Sequence, residues 1–283
     1  MDRNALCQAL GVSPGLPVDA TPCCVCGEET KNRCSACGDA GTSLFFCSRE
    51  HQKLIWPVHK RVCGSKSTPC QLPFLTSKEA QDVKKNLETV VQVSPLCSMT
   101  VAGFLRHSRP DASREHLEMF VDAITSGSSY SLAGLQSMLT IIRSLRWFRL
   151  KENGEEDLDP FDCLARLEAE IQQQLPSEKY GAAPWQSDLR HKALIFFALK
   201  QLHFSPSPPP ALETFHAPTA SMHLNDYITD KLDCAQGHEV ASKVRLAWDA
   251  VFPSRLFPPL KRTSGGEGGE KTRKEGGGEN RVL

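Results

Sequence analysis

Beyond about residue 75, apolar residues recur at helical spacing through most of the chain. Leu117, Phe120, Val121 and Ile124 fall at i, i+3, i+4 and i+7, and Leu135, Met138, Leu139, Ile142, Leu145 and Phe148 continue the period on the next stretch. Such spacing lines one face of an α-helix with side chains that leave water on packing. Divided at its Pro, Gly and Ser punctuation, the pattern predicts helices over 77–92, 96–107, 112–126, 131–149, 160–175 and 184–203. Two shorter helices are expected over 223–232 and 238–251. The fold class of residues 76–260 is therefore an all-α helical domain. Met119, Met138 and the aromatic residues on these stripes read as core rather than as a cofactor pocket. His107, His116, His191 and His203 lack metal spacing and receive no role.

The first 75 residues follow a different pattern. Nine of the twelve cysteines lie within residues 1–70, joined by two histidines. They run Cys23-x2-Cys26-x7-Cys34-x2-Cys37-x9-Cys47-x3-His51-x7-His59-x3-Cys63. Two C-x2-C pairs are each followed by a glycine, Gly27 and Gly38, where a residue without Cβ lets the backbone fold back toward the thiolates. Cys47/His51 and His59/Cys63 stand i,i+4 apart, the spacing that shares one helix face. Ser48 can cap a first short helix, and Pro57 suits the first turn of a second. Eight soft donors in four pairs make two closed tetrahedral zinc sites, a better account than disulfides in a chain without a signal-peptide pattern. Spacing alone leaves open how the pairs combine. Of the adjacent Cys23 and Cys24, the spacing to Cys26 favours Cys23, and Cys7 and Cys70 fit no pair.

The string Phe46-Cys47-Ser48-Arg49-Glu50-His51-Gln52-x3-Trp56-x2-His59-Lys60-x2-Cys63, together with the ligand order, resembles the MYND zinc finger. A RING finger places its histidine earlier in the order, and the HIT-type finger has a shorter final stretch. The resemblance covers about residues 22–64 and implies short strands plus two short helices around two zinc ions. It also implies a crossed pairing, with Cys23, Cys26, Cys47 and His51 on one ion and Cys34, Cys37, His59 and Cys63 on the other. Family members usually have cysteine where this chain has His51, so both sites here become Cys₃His and one loses about a unit of negative charge.

Four protein donors per ion leave no open coordination position, so the metal serves folding rather than Lewis-acid chemistry. By resemblance, the finger is a protein–protein interaction module that docks proline-rich segments, with Gln52 and Trp56 contributing the groove, and an adaptor role in transcriptional regulation is one expectation. A pre-extended proline-rich peptide against an aromatic face and an amide is sound chemistry for that task. Two other readings stand beside it. In one, the finger only caps the helices, and Trp56 is then buried against residues beyond 70. In the other, an enzyme site lies in the helical part; no catalytic motif supports it, and SET-type methyltransferase activity is disfavoured by the missing Asn-His-Ser-Cys string.

Charge adds one exclusion. The 33 basic and 33 acidic residues cancel over 283 positions, so no global electrostatic partner is expected and only a local patch could bind an anion. The trio His59-Lys60-Arg61 with Lys53 is the nearest to one, and nucleic acid is judged unlikely because His59 is spent on zinc and Glu28, Glu29, Asp39 and Glu50 lie close in sequence. No apolar run is long enough to span a bilayer, and an intracellular location, cytoplasm or nucleus, is expected. The domain order is an N-terminal segment 1–21, the finger 22–64, a linker 65–75, the helical domain 76–260 and a Gly- and charge-rich tail 261–283 expected to be disordered. Just before the tail, Phe257-Pro258-Pro259-Leu260 offers a possible intramolecular ligand for the finger, centred on Pro258, Pro259 and Leu260.

Overall fold

The computed structural model describes residues 21–94, 96–126, 132–154, 158–175, 184–203, 205 and 224–252. The N-terminal segment, the polyproline stretch near 206–210, the Pro-Pro-Leu segment and the tail lie outside the described residues. Two strands, β1 (Thr21–Pro22) and β2 (Glu29–Thr30), pair antiparallel across a turn closed by Gly27, whose φ of 83° is readily open only to glycine. A short helix α1 (Ser35–Asp39) follows, and then α2 (Arg49–His59). Gly38 differs from Gly27 in having no positive φ. It sits inside α1, where an added Cβ would come within 2.9 Å of the Arg33 side chain.

Ser48 caps α2 as the sequence suggests, its Oγ accepting from the His51 N–H at 3.2 Å. The second short helix expected from Pro57 does not form separately; α2 runs unbroken through Pro57 to His59. Near a helix end the proline forfeits a single backbone hydrogen bond, and the packing of Ile55, Val58 and His59 below offsets that loss. Cys63 then lies beyond the helix, before a 3₁₀ turn at Gly64–Lys66.

The body opens with α3 (Ser77–Lys85), held by a reciprocal cap in which Thr76 N–H donates to Glu79 and Glu79 N–H donates to Thr76 Oγ1. The sequence predicts helix across 77–92 and again from 96, but the chain leaves α3 at Asn86 and makes a hairpin, β3 (Val91–Ser94) with β4 (Cys97–Met99). Thr89-Val90-Val91-Gln92-Val93 explains the difference. β-branched residues dominate, and exposure alternates, with Val90 at the surface and Val91 buried. The remaining helices are α4 (Val101–Ser108), α5 (Arg114–Ser126), α6 (Leu132–Glu152), α7 (Pro160–Gln174) and α8 (Pro184–His203). A π-helical turn (Tyr227–Leu232), α9 (Asp233–Gln236) and α10 (His238–Val251) complete the described body. It is mostly helical, as expected, with the hairpin its departure from all-α.

Helix α7 is the centre of the body. It starts on Asp159, whose carboxylate accepts from Phe161 N–H at 2.8 Å, and it buries Phe161, Leu164, Leu167 and Ile171 against α6, α8 and α10. Phe196 and Phe197 of α8 meet Trp248 and Phe252 at the far side, the Phe197 and Trp248 rings lying nearly parallel at 5.7 Å.

Residues 65–75 are hydrogen-bonded to the body along much of their length. Cys70 N–H donates to Ser187 Oγ at 3.1 Å, and Arg190 donates to Cys70 O at 2.7 Å. The Gln136 amide pairs with both backbone groups of Leu72, at 2.7 and 3.0 Å. Below this segment lies a chain of ions. Arg143, wholly buried, donates to Glu79 at 2.8 Å and to Asp162 at 3.0 Å; Arg146 bridges Asp162 and Asp82, and Arg149 reaches Asp82 at 2.6 Å. Arg61, just past α2, joins at Glu79 and lies 4.4 Å over the Phe161 ring. Burial alone would raise the Glu79 carboxyl, but the Arg143 guanidinium and the Thr76 N–H hold it down at about 2.

Candidate metal centre and the exposed face of the finger helix

The first donor group assembles from two directions. Cys23 and Cys26 come from the β1–β2 turn, while Cys47 and His51 come from the entry and first turn of α2. Cys26 and Cys47 sulfurs stand 3.4 Å apart, and His51 Nδ1 is 3.0 Å from Cys47 and 3.7 Å from Cys23. The second group takes Cys34 and Cys37 from the start of α1, His59 from the last turn of α2 and Cys63 from the loop after it. Here Cys63 is 3.6 Å from both Cys34 and Cys37, and His59 offers Nε2 to Cys37 at 3.5 Å.

All but the short 3.0 Å separation of His51 and Cys47 match the donor spacing of zinc. Tetrahedral donors at about 2.3 Å for sulfur and 2.0 Å for nitrogen stand about 3.3–3.8 Å from one another, and three thiols with one imidazole are an accepted structural set. Both groups fit two zinc sites, each holding the ligands that the resemblance implied. In such sites zinc ties together segments remote in sequence. Burial pushes the Cys37 thiol up to about 12, and holding zinc there as a thiolate would release its proton. Cys24 lies outside both groups, its N–H paired with Phe45 O at 2.8 Å. Cys70 lies outside them too, buried with its thiol pushed up to about 12.

Helix α2 carries three kinds of surface. One side supplies His51 and His59 to the metal groups. A second, formed by Ile55, Val58 and His59, lies on α8 against His191, Leu194, Ile195 and Ala198. The third faces outward. Trp56 is 44% exposed, with its ring 5.9 Å from that of His59, and Gln52 beside it is half-buried. The burial of Trp56 against residues beyond 70, expected of a pure cap, is thus not what the structure shows.

Sequence reasoning gave His191 no role, yet it is a joint of the molecule. Its ring lies 6.2 Å from the His59 ring, and its Nε2 is 3.1 Å from Ser67 O, which can only accept, so Nε2 carries the proton. Burial pushes its imidazole down to about 4, which keeps it neutral. The signal was present as an i, i+3, i+4, i+7 stripe through His191, Leu194, Ile195 and Ala198. Of the trio once considered for nucleic acid, His59 is a metal donor and Arg61 belongs to the ion chain, leaving Lys60 outside.

A cavity of about 370 Å³ lies between α4 and α5, lined mainly by apolar side chains such as Phe104, Leu117, Met119 and Met138. It is not the polar cluster of perturbed groups that an enzyme reading asks for. Among the described residues, no helix is long and apolar enough to cross a membrane.

Comparison with known proteins agrees with this geometry. The model of the MYND finger family matches residues 23–63. Dauer abnormal formation protein 25 of Caenorhabditis elegans is 46% identical over 43 residues, which cover 15% of this chain and 10% of that protein. No solved structure matches. Residues 23–63 are thus a MYND finger, a zinc-binding protein-interaction module, on a mostly helical body.

Proposed function

We propose that the finger docks proline-rich peptide segments on the outward face of α2, with Trp56 as the aromatic platform and Gln52 as the amide that grips the peptide backbone, making the chain an adaptor. One observation carries this reading. On a helix whose apolar Ile55 and Val58 pack on α8, the largest side chain is left 44% exposed. A proline-rich segment enters already extended, so the entropy lost on docking is small and a shallow aromatic surface suffices.

A second reading, in which the finger serves only to cap the helices, is favoured by the seating of Ile55, Val58 and His59 on α8. The two differ in a titration of zinc-loaded full-length protein with a fluorescent proline-rich peptide, alongside the Trp56→Ala variant. Two bound zinc ions and unchanged helical circular dichroism establish that the variant is folded. A loss of tenfold or more in affinity supports docking at Trp56, whereas equal binding by both proteins, or none by either, removes it. The chain's own Pro258, Pro259 and Leu260 are part of the proposal as a competing ligand, and truncation before residue 256 is expected to tighten binding of the added peptide.

A further inference from the structure

The outward face of α2 is more than an aromatic patch. At 100° per residue, Arg49, Lys53 and Lys60 fall within about 60° of Trp56 around the helix axis. All four are exposed. Along the axis the stripe runs about 16 Å from Arg49 to Lys60. Gln52 borders one side, and Glu50 lies on the other near the helix N-terminus.

These cations differ from the arginines that knit the body together. Arg106, Arg143, Arg146, Arg149, Arg166 and Arg190 in the body each meet a carboxylate within ion-pair distance. Arg49, Lys53 and Lys60 form no salt bridge among the described residues, although the neighbouring Glu50 carboxylate feels the charges of Arg49 and Lys53. Three exposed cations around an exposed indole suit an apolar centre with negative flanks.

We infer that the partner segment is acidic as well as proline-rich: an extended peptide with its apolar residues over Trp56 and carboxylates toward Arg49, Lys53 and Lys60. This rests on the docking reading above and adds the chemistry of the flanks. The stripe matches about five residues of extended chain at about 3.3 Å each. A protein segment fits it better than nucleic acid does, because of the trio His59-Lys60-Arg61 only Lys60 stays on this surface, His59 being a metal donor and Arg61 belonging to the ion chain. The chain's own Pro-Pro-Leu segment is flanked by Arg255, Lys261 and Arg262, cations of the same sign as the stripe. It is therefore a weak occupant that an acidic partner displaces.

The test uses zinc-loaded full-length protein and fluorescence anisotropy with three synthetic peptides. They share a Pro-Pro-Leu-Pro centre flanked on each side by two glutamates, two serines or two lysines. The glutamate peptide is expected to bind about tenfold more tightly than the serine peptide, and the lysine peptide more weakly than either. The spread should shrink at high salt and in a Lys53→Gln/Lys60→Gln double variant, in which the glutamate peptide loses more affinity than the serine peptide does. Equal affinity for all three peptides overturns the charge inference while the docking reading stands. Failure of all three to bind removes the docking reading itself. A glutamate peptide without prolines binding as well as the glutamate-flanked one overturns the combined occupant, as does stronger binding of a short DNA duplex at the same ionic strength.

Discussion

Val25, Leu44, Phe46, Ile55 and Val62 are the buried apolar side chains of residues 23–63 apart from cysteine, whereas α7 alone buries Phe161, Leu164, Leu167 and Ile171 along its length. The two regions reach order by different routes. A segment of that size removes too little surface from water to offset its chain entropy, so its fold depends on the bonds its donors make to metal. The body closes its structure by packing long helices and by neutralising buried ions in a connected chain. The comparison predicts that the finger's surface depends on bound zinc and that the body's core does not share this dependence.

Removing zinc should separate the two most sharply. Structural zinc sites contribute about 10–16 kcal/mol to folding in isolated fingers. Chelation, or Cys37→Ser, is therefore expected to abolish hydrogen-exchange protection at Val25 and Val62 while Ile142 and Leu167 keep theirs. Equal loss in both regions would show that the body leans on the finger for its own fold.

The reverse perturbation strikes the body. Arg143→Ala leaves Glu79 and Asp162 buried beside one guanidinium fewer and should cost about 3–5 kcal/mol in thermal or urea unfolding. Arg143→Met retains volume but strands the same carboxylates, and a cost close to that of alanine would assign the loss to charge rather than to packing. Two zinc ions should remain bound to either variant.

The smallest effect is a pH dependence. Glu79 is held at about 2 in the fold against about 4.5 in a free chain, so the folded state binds fewer protons between those values. Its contribution is fully present above about pH 4.5 and is lost as pH falls through about 2, on the order of 3 kcal/mol. Glu79→Gln should flatten that part of the stability profile, read from the helical signal of the body.

Much of this was legible in the sequence. Donor spacing located the zinc ligands because coordination geometry constrains it directly, and the 3.6-residue period located the long helices α6, α7 and α8 to within a few residues. Other features depended on neighbours that a linear reading does not supply. Pro57 has the local chemistry of a helix start, but packing against α8 carries the helix through it. The hairpin after α3 hid inside an apolar run whose β-branched residues were read as helix. His191 was passed over because it ligates nothing, and its value lies in what it touches across the joint.

That joint has a geometric consequence. With α2 clamped on α8 and residues 65–75 tied to the body, a ligand on Trp56 is presented at a set distance and angle from anything held by the helices. Two ligand segments on one polypeptide would therefore meet a ruler rather than a tether. The second would bind at high effective concentration when its spacer matches the fixed gap, and would gain nothing when the spacer is too short to reach.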